Sequence, residues 1–378
     1  MCSVCLRDLN KADILEKALI DQIRKGILKE GSRLLPEREI SRKYKTSRGV
    51  VRKVLGKLVD QGVFERRTKA GTILKAFPPQ MDYSPGLKHI LYVFLPSTGG
   101  MELHNFSYIE TVYCGVEKEA LKFNCDVSIL LGEVARKRVK RLGKGREDET
   151  VDGALVSGSG IEPVIDDLKK AKIPFVIVDS RGGESDLNYV CPDNFQGGYL
   201  AAKHLMGLGH LRIGFLYPVY PGENFIQSGY LERLAGFQAA FREKGNECDA
   251  SLIIPLMLKK NFDLDDEAYV ELERFLVAEQ KVTVVFLADD SLAACVYRVA
   301  AKNGIVIPGQ LSVLGFGDTA ICEWLVPAVS SVRVDRFMMG QKSFLMLKSL
   351  ADNPDQPAGS QTLAVKLIQR GSTAAPIG

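Results

Sequence analysis

The stretch TSRGVVRKVLGKL, residues Thr46–Leu58, decides how the front of the chain is read. Val51, Val54, Leu55 and Leu58 recur at helical spacing, so one face is made for a core. Ser47 is a good helix N-cap, and the helix should start just after it. Arg48 and Arg52 then lie one turn apart at the N-terminus, where the helix dipole favours anions. A pair of cations in that place calls for an anion from outside the helix.

The flanking sequence supplies the context. Ile14–Leu28 carries an apolar stripe at positions 15, 19, 20, 23 and 27, which predicts a first helix. Glu30–Arg33 breaks the chain, and PEREISRKYK opens a short second helix with Pro36 in its first turn. The third helix, holding Arg48 and Arg52, should run to about Gln61 and stop at Gly62. VFERR and GTILK follow as a hairpin around TKA. Three helices and a two-stranded wing make a winged helix-turn-helix over residues 1–75. In that motif the N-terminal end of the second motif helix enters the major groove, so Arg48 and Arg52 are placed to meet base edges and phosphates.

The run KGILKEGSRLLPEREIS…TSRGVVRKVLGKLVDQGVFERRTKAGTIL resembles the winged-helix head of the GntR (gluconate repressor) family. The resemblance implies that Arg38, Arg48 and Arg52 contact DNA, with Ser47 on a phosphate and Lys69 and Gly71 in the wing tip. There are departures: Pro36 stands where the family pattern has Ser, Lys69 takes the first wing glycine, and Ala70 lies between the two glycine positions.

Charge divides the chain in the same place. Residues 1–75 hold 19 Lys+Arg against 9 Asp+Glu, and the net charge of the whole is +4, so the remainder is acidic by 6. A basic head on a mildly acidic body predicts a polyanion partner for the head. Hydrophobic content of 46% and charged content of 25% are those of a globular protein, and 378 residues suffice for two or three domains. No apolar run approaches the length of a membrane span, and MCSVCLRDLNKADILEK has no signal-peptide core, which predicts a cytoplasmic protein. The 8 cysteines are dispersed, and the Cys2–Cys5 pair lacks a second pair to complete a zinc site, so neither metal nor cofactor is expected.

Residues 76–88, rich in proline, read as a linker to a body over 89–378. There HILYVFL, CDVSILL, GALVSGS, IPFVIVD, RIGFLYP, VTVVFLA and LSVLGFG read as buried parallel strands alternating with helices. The fold class is therefore α/β: a winged helix-turn-helix followed by a two-lobed, doubly wound parallel-sheet domain with a cleft at the carboxyl ends of its strands. Polar residues at strand ends are the candidate ligand groups: Ser157, Ser159, Asp179, Arg181, Asp193, Asp289, Asp290 and Asp318. Carboxylates that accept from hydroxyls, with an arginine that donates, suit a polyhydroxylated ligand. Each Asp could equally be a helix N-cap.

CPDNFQGGYLAAKHLMGLGHLRIGFL, RLAGFQAAFREKG, VVFLADDSLAACVYRVAAKNGIVIPGQLSVLGFGD, VPAVSSVRVD and LIQRGST resemble, in order and spacing, the sensor domain of the LacI (lactose repressor) family. That resemblance implies a type I periplasmic-binding-protein-like fold with three crossovers between lobes. It also implies ligand positions at Asp193, Arg233, Asp289, Asp290 and the GFGD loop with Asp318. Gly317 replaces the first carboxylate of the usual G-F-D-D, and Asp289 replaces the usual Asn. A GntR-type head on a LacI-type body resembles the hybrid regulators of arabinose-repressor type. ARKRVKRLGKGRE (Ala135–Glu147) reads as a solvated basic helix, with a second DNA contact as the alternative. Trp324 could stack on a ligand or lie at a lobe edge.

These observations predict a ligand-responsive transcriptional regulator, a repressor of carbohydrate-utilisation genes. Its partners would be double-stranded operator DNA, a sugar-like effector and a second copy of itself. A purine, an amino acid or a phosphorylated sugar, or action as an activator, remain as alternatives. Catalysis is not expected. The chain has no G-x-x-x-x-G-K-[ST], G-x-S-x-G or H-E-x-x-H, and its 4 histidines form no nucleophile–base grouping.

Overall fold

The computed structural model describes residues 12, 15–16, 18–19, 22–23, 28–60, 62–67, 71–75, 87–96, 103–144, 151–182, 187–220, 227–259, 263–277, 282–353 and 359–377. Side chains of the helix starting at Leu103 are described from Ile109 onward. Cys2, Cys5, Lys69, most of the linker and the end of the basic run lie outside these residues. The chain divides into two units, Met1–Gly86 and Leu87–Gly378.

In the head, helical positions at Leu15 and Leu19 are buried with α1 (Glu37–Lys43) and α2 (Arg48–Asp60). Ile40, Val51, Val54, Leu55 and Leu58 form the centre of this core, the face that the opening stretch predicts. The Val50 amide donates to Ser47 Oγ at 3.2 Å, so Ser47 caps α2. Gly62, at φ +77°, follows its end. β1 (Phe64–Arg67) and β2 (Gly71–Leu74) pair antiparallel as the wing, and Arg33 bridges to Ile73 to extend its edge.

Among its described residues, the body forms two six-stranded sheets. The first lobe orders them β13-β7-β6-β5-β3-β4, from β3 (His89–Leu95), β4 (Asp126–Leu131), β5 (Gly153–Gly158), β6 (Phe175–Val178), β7 (Tyr189–Pro192) and β13 (Gln361–Leu363), all parallel. The second orders them β14-β12-β11-β10-β8-β9, from β8 (Ile213–Val219), β9 (Ile253–Met257), β10 (Val284–Leu287), β11 (Ser312–Gly317), β12 (Ser330–Arg333) and β14 (Lys366–Ile368). Only the β12–β14 pair in this sheet is antiparallel. Buried on both faces, these strands read as continuous apolar runs, and burial of Phe215, Phe237 and Phe286 anchors the second lobe.

The chain passes between lobes three times within the described residues. It crosses from β7 into α6 (Asn194–Gly207), from β12 into α11 (Arg336–Asp352), and from β13 into β14. Asp193 and Asp335 sit at the first two passages with nearly the same backbone, φ −75°, ψ 81° and φ −80°, ψ 82°. Each side chain caps the helix that follows, accepting from the Gln196 and Met338 amides.

Two helix pairs back the sheets at unusually close approach. α6 packs on α7 (Ser228–Glu243), and α3 (Leu103–Lys122) packs on α11. A Cβ at Gly198 would lie 1.8 Å from the Arg233 carbonyl oxygen, and one at Gly236 would lie 1.8 Å from that of Phe195. Gly115 and Gly340 serve the first lobe in the same way. The Gly198 approach sets where Arg233 stands. Gly198→Ala is expected to force the pair apart and cost about 1–3 kcal/mol in urea denaturation. Gly207→Ala, at the end of the same helix with nothing within 4 Å, should be neutral or slightly stabilising.

Candidate functional site

Arg38, Arg48 and Arg52 are all exposed on the head, as is Gly71. Arg52 Nε donates to Glu37 Oε2 at 2.8 Å, so the first residue of α1 gives one arginine of α2 an anion. The first turn of α2 contains no acidic residue of its own. Arg48 therefore begins the helix with its charge facing the unfavourable end of the dipole. Gly71, at φ +83°, has Arg33 Nε 3.1 Å from the place a Cβ would occupy, so the wing needs glycine there.

In the body, Arg233 on α7 is the best-defined polar group. It is 8% exposed, and its guanidinium lies 3.7 Å from the centroid of the Phe316 ring. Nε donates to Asn194 Oδ1 at 2.9 Å, and Nη1 donates to the Ala288 carbonyl at 2.5 Å. Ala288 leads into Asp289, which caps the next turn through the Ser291 amide and accepts from the Tyr230 hydroxyl at 3.5 Å. Tyr220 and Tyr230, both buried, place their hydroxyls 3.3 Å apart beside it. Burial, then the neighbouring Tyr220 and Asp289, pushes the Tyr230 hydroxyl well above its ordinary range, so it stays a donor.

The remaining candidates separate into different roles. Asp193 caps α6 at the first crossover. Ser157, buried at the end of β5, donates to the Tyr92 hydroxyl at 3.4 Å. Arg181, after β6, reaches across to the second lobe and pairs with Glu232 at 3.0 Å. Asp318 has both oxygens on arginines, Arg333 Nε at 2.5 Å and Arg370 Nη1 at 2.6 Å. Asp290 is fully buried and turned into the lobe: it accepts from the Thr319 amide at 2.8 Å, the Thr319 hydroxyl at 3.2 Å and the Ser331 hydroxyl at 2.9 Å. Asp290 thus shapes the loop after β11. Asp289 and Arg233 are linked through Ala288, whose carbonyl Arg233 bonds, and through Tyr230, which lies against Arg233 and donates to Asp289.

Gly317 is held by its surroundings. Its φ is +123°, and a Cβ there would lie 2.9 Å from Arg336 Nη2 and 3.2 Å from Asp290 Oδ2. Arg336, from the first lobe, donates to the Gly317 carbonyl at 2.6 Å, a second contact between lobes. Sequence reading missed Asn194, Tyr220, Tyr230, Glu232 and Arg336. Asn194 and Glu232 are chain neighbours of residues it singled out, which was the available signal.

His210, buried, bonds Thr283 Oγ1 at 2.7 Å and the Ala374 carbonyl at 2.9 Å, a structural use. Trp324 is 75% exposed. The basic run begins in α4 (Gly132–Gly143), which packs by Ala135 and Val139. A groove of about 500 Å³ between it and α5 (Glu162–Ala171) is lined by Glu133 and Asp167 as well as Lys137, Lys140 and Lys170, so its charge is mixed. No helix among the described residues is long and apolar enough to cross a membrane.

Residues 11–74 match the bacterial regulatory proteins of the gntR family, and residues 202–373 match the periplasmic binding protein-like domain. The chain joins a head similar to the gntR family to a body similar to the periplasmic binding protein-like domain. The repressor PurR of Escherichia fergusonii is 28% identical over 274 residues, 70% of this chain and 77% of that protein. PurR of Vibrio atlanticus is 25% identical over 60% of this chain, which spans only 65% of that repressor's length. Among solved structures, a LacI family transcriptional regulator from Enterococcus faecium with bound ribose superposes with TM-score 0.62 at 25% identity, covering 76% of this chain and 99% of that one. The CelR–cellobiose complex shares the fold, with TM-score 0.63 at 21% identity over 90% of this chain and 100% of that one. The two matched parts are thus similar to the head of gntR-family regulatory proteins and to the sensor body of LacI family regulators.

Burial pushes the Asp290 carboxyl above its usual range, the Thr319 amide pulls it back, and Asp289 adds to the rise. A raised acid binds its proton more tightly in the folded state, so its stabilisation is complete at low pH and fades as pH climbs through the folded value. Relative to Asp290→Asn, the unsubstituted protein should therefore lose stability between the ordinary carboxylate range and its raised value. Urea denaturation of both proteins over that range checks the slope; a difference that stays flat contradicts it.

Proposed function

We propose that the protein is a repressor of carbohydrate-utilisation genes. It binds operator DNA as a homodimer through the arginines of α2, and a sugar-like effector in the cleft alters that binding. The observation that carries the effector half is the placement of Arg233, Asp289, Tyr220 and Tyr230 together at the carboxyl ends of the second-lobe strands. That set offers charged and neutral donors beside a carboxylate acceptor, which is what a polyol needs. Arg181 brings a first-lobe cation to the same edge through Glu232, Asp193 caps the helix entering the second lobe, and Ser157 lies near the end of β5. Asp290 is held by Thr319 and Ser331, and Asp318 by Arg333 and Arg370. The ribose seen in the Enterococcus regulator agrees with this chemistry.

The DNA half rests on exposed Arg38, Arg48 and Arg52, with Ser47 at the cap and Gly71 in the wing; Lys69 joins them on the sequence resemblance alone. Two heads related by a two-fold axis would read a palindromic operator. A second reading keeps the regulator and makes the effector anionic, because Arg181, Arg233 and Arg336 all stand near the lobe boundary.

Arg48→Ala and Arg52→Ala should each weaken specific operator binding by about 1–3 kcal/mol and leave effector binding intact. A gel shift over genomic fragments measures this, and normal affinity in the double variant contradicts the head assignment. A thermal-shift panel of neutral monosaccharides and sugar phosphates should raise Tm for one or two members, and Arg233→Ala should abolish the rise. A response confined to sugar phosphates selects the anionic reading; a response to neither class, with a response to nucleobases, removes both.

A further inference from the structure

We propose that Arg181 and Glu232 form a latch across the cleft, and that Glu232 is the positioning residue through which lobe closure reaches Arg233. The proposal builds on the reading of the cleft as the effector site. Arg181 belongs to the first lobe, after β6, and Glu232 to α7 of the second; Arg181 Nε lies 3.0 Å from Glu232 Oε1. The other carboxylate oxygen, Oε2, accepts from Asn194 Nδ2 at 3.3 Å. Asn194 in turn accepts from Arg233 Nε at 2.9 Å, and Arg233 Nη1 donates to the Ala288 carbonyl one residue before Asp289. A continuous line of polar contacts therefore runs from the first lobe to the candidate effector groups.

Its middle member stands at a crossover. Asn194 is the first residue of α6, directly after the Asp193 cap, so the amide that Glu232 and Arg233 share stands where the chain enters the second lobe. Opening the cleft separates Arg181 from Glu232, frees Glu232 to turn, and releases one of the bonds that orient Asn194. Closing it restores all three. With the latch formed, the closed arrangement is populated before any ligand arrives, and an effector that needs this arrangement binds more tightly by the fraction gained. The pair is half-exposed, 47% at Arg181 and 24% at Glu232, so it biases the equilibrium without locking it and weakens in salt.

The test uses the full chain without ligand, following amide hydrogen exchange at residues 189–196 and 333–339. Arg181→Gln and Glu232→Gln are each expected to speed exchange at both crossovers by about two- to five-fold, the range for a partly exposed ion pair. The charge-swapped Arg181→Glu/Glu232→Arg protein should return towards the unsubstituted rate, which a purely structural loss at either position would not do. High salt should speed exchange in the unsubstituted protein and leave Glu232→Gln unchanged. Unaltered exchange in both single variants, or a swap that adds the two defects, overturns the latch. Because no ligand enters, a failed sugar panel with a working latch removes only the proposed effector, and the reverse outcome removes only the latch.

Discussion

A guanidinium taken out of water must be given acceptors, and the second lobe is arranged around meeting that demand for Arg233. Its side chain lies against the face of Phe316 from β11, bonds Asn194 at the start of α6, and bonds the carbonyl of Ala288 at the end of β10. Its own carbonyl is what Gly198 accommodates. One residue thus ties two helices to two strands at the edge where ligands bind in sheets of this kind. Removing the charge would leave the Asn194 and Ala288 oxygens without their donor; moving the helix would remove the charge from its acceptors. The glycine contacts and the buried arginine are consequently parts of one constraint.

Much of the fold was legible because apolar runs such as HILYVFL and VTVVFLA are long, buried on both faces and separated by helical periods. β7, β9, β12, β13 and β14 were not legible. YVCP, IIPLM, SSVR, QTL and KLI are three to five residues long, and their strand character comes largely from the neighbour each pairs with; in IIPLM a proline interrupts the apolar run. The head was the easier half. Val51, Val54, Leu55 and Leu58 lie on the core exactly as their spacing requires of a helix, and Ser47 does cap it.

That the candidate residues stand at strand ends was legible; the partners each of them takes were not. Three neighbouring acids, Asp289, Asp290 and Asp318, look alike in sequence, yet their oxygens go to different places. Asp290 faces inward because Gly315 leaves room for it, a Cβ there standing 2.0 Å from Asp290 Oδ1. Asp318 meets Arg333 and Arg370, and Arg370 approaches it from the far end of the chain across 52 residues. Long-range partners of this sort leave no local trace. Gly317 likewise answers to distant groups: its φ is +123°, and a Cβ there would lie 2.9 Å from Arg336 Nη2 and 3.2 Å from Asp290 Oδ2.

This last contact bears on how the cleft can respond to a ligand. The lobes are joined by Asp193 and Asp335 crossovers of almost equal conformation, by the short β13–β14 passage, and by polar contacts from Arg181 and Arg336. Those polar contacts pair Arg181 with Glu232 and Arg336 with the Gly317 carbonyl. An effector changes the lobe equilibrium only by the difference between its contacts in the two arrangements. A ligand held by the second lobe alone would stabilise open and closed forms equally and transmit nothing. A signal therefore requires that the occupant of the proposed Arg233–Asp289 site also touch the first lobe, or displace a group that does, and Arg181, Glu232 and Arg336 are the residues through which that difference can arise.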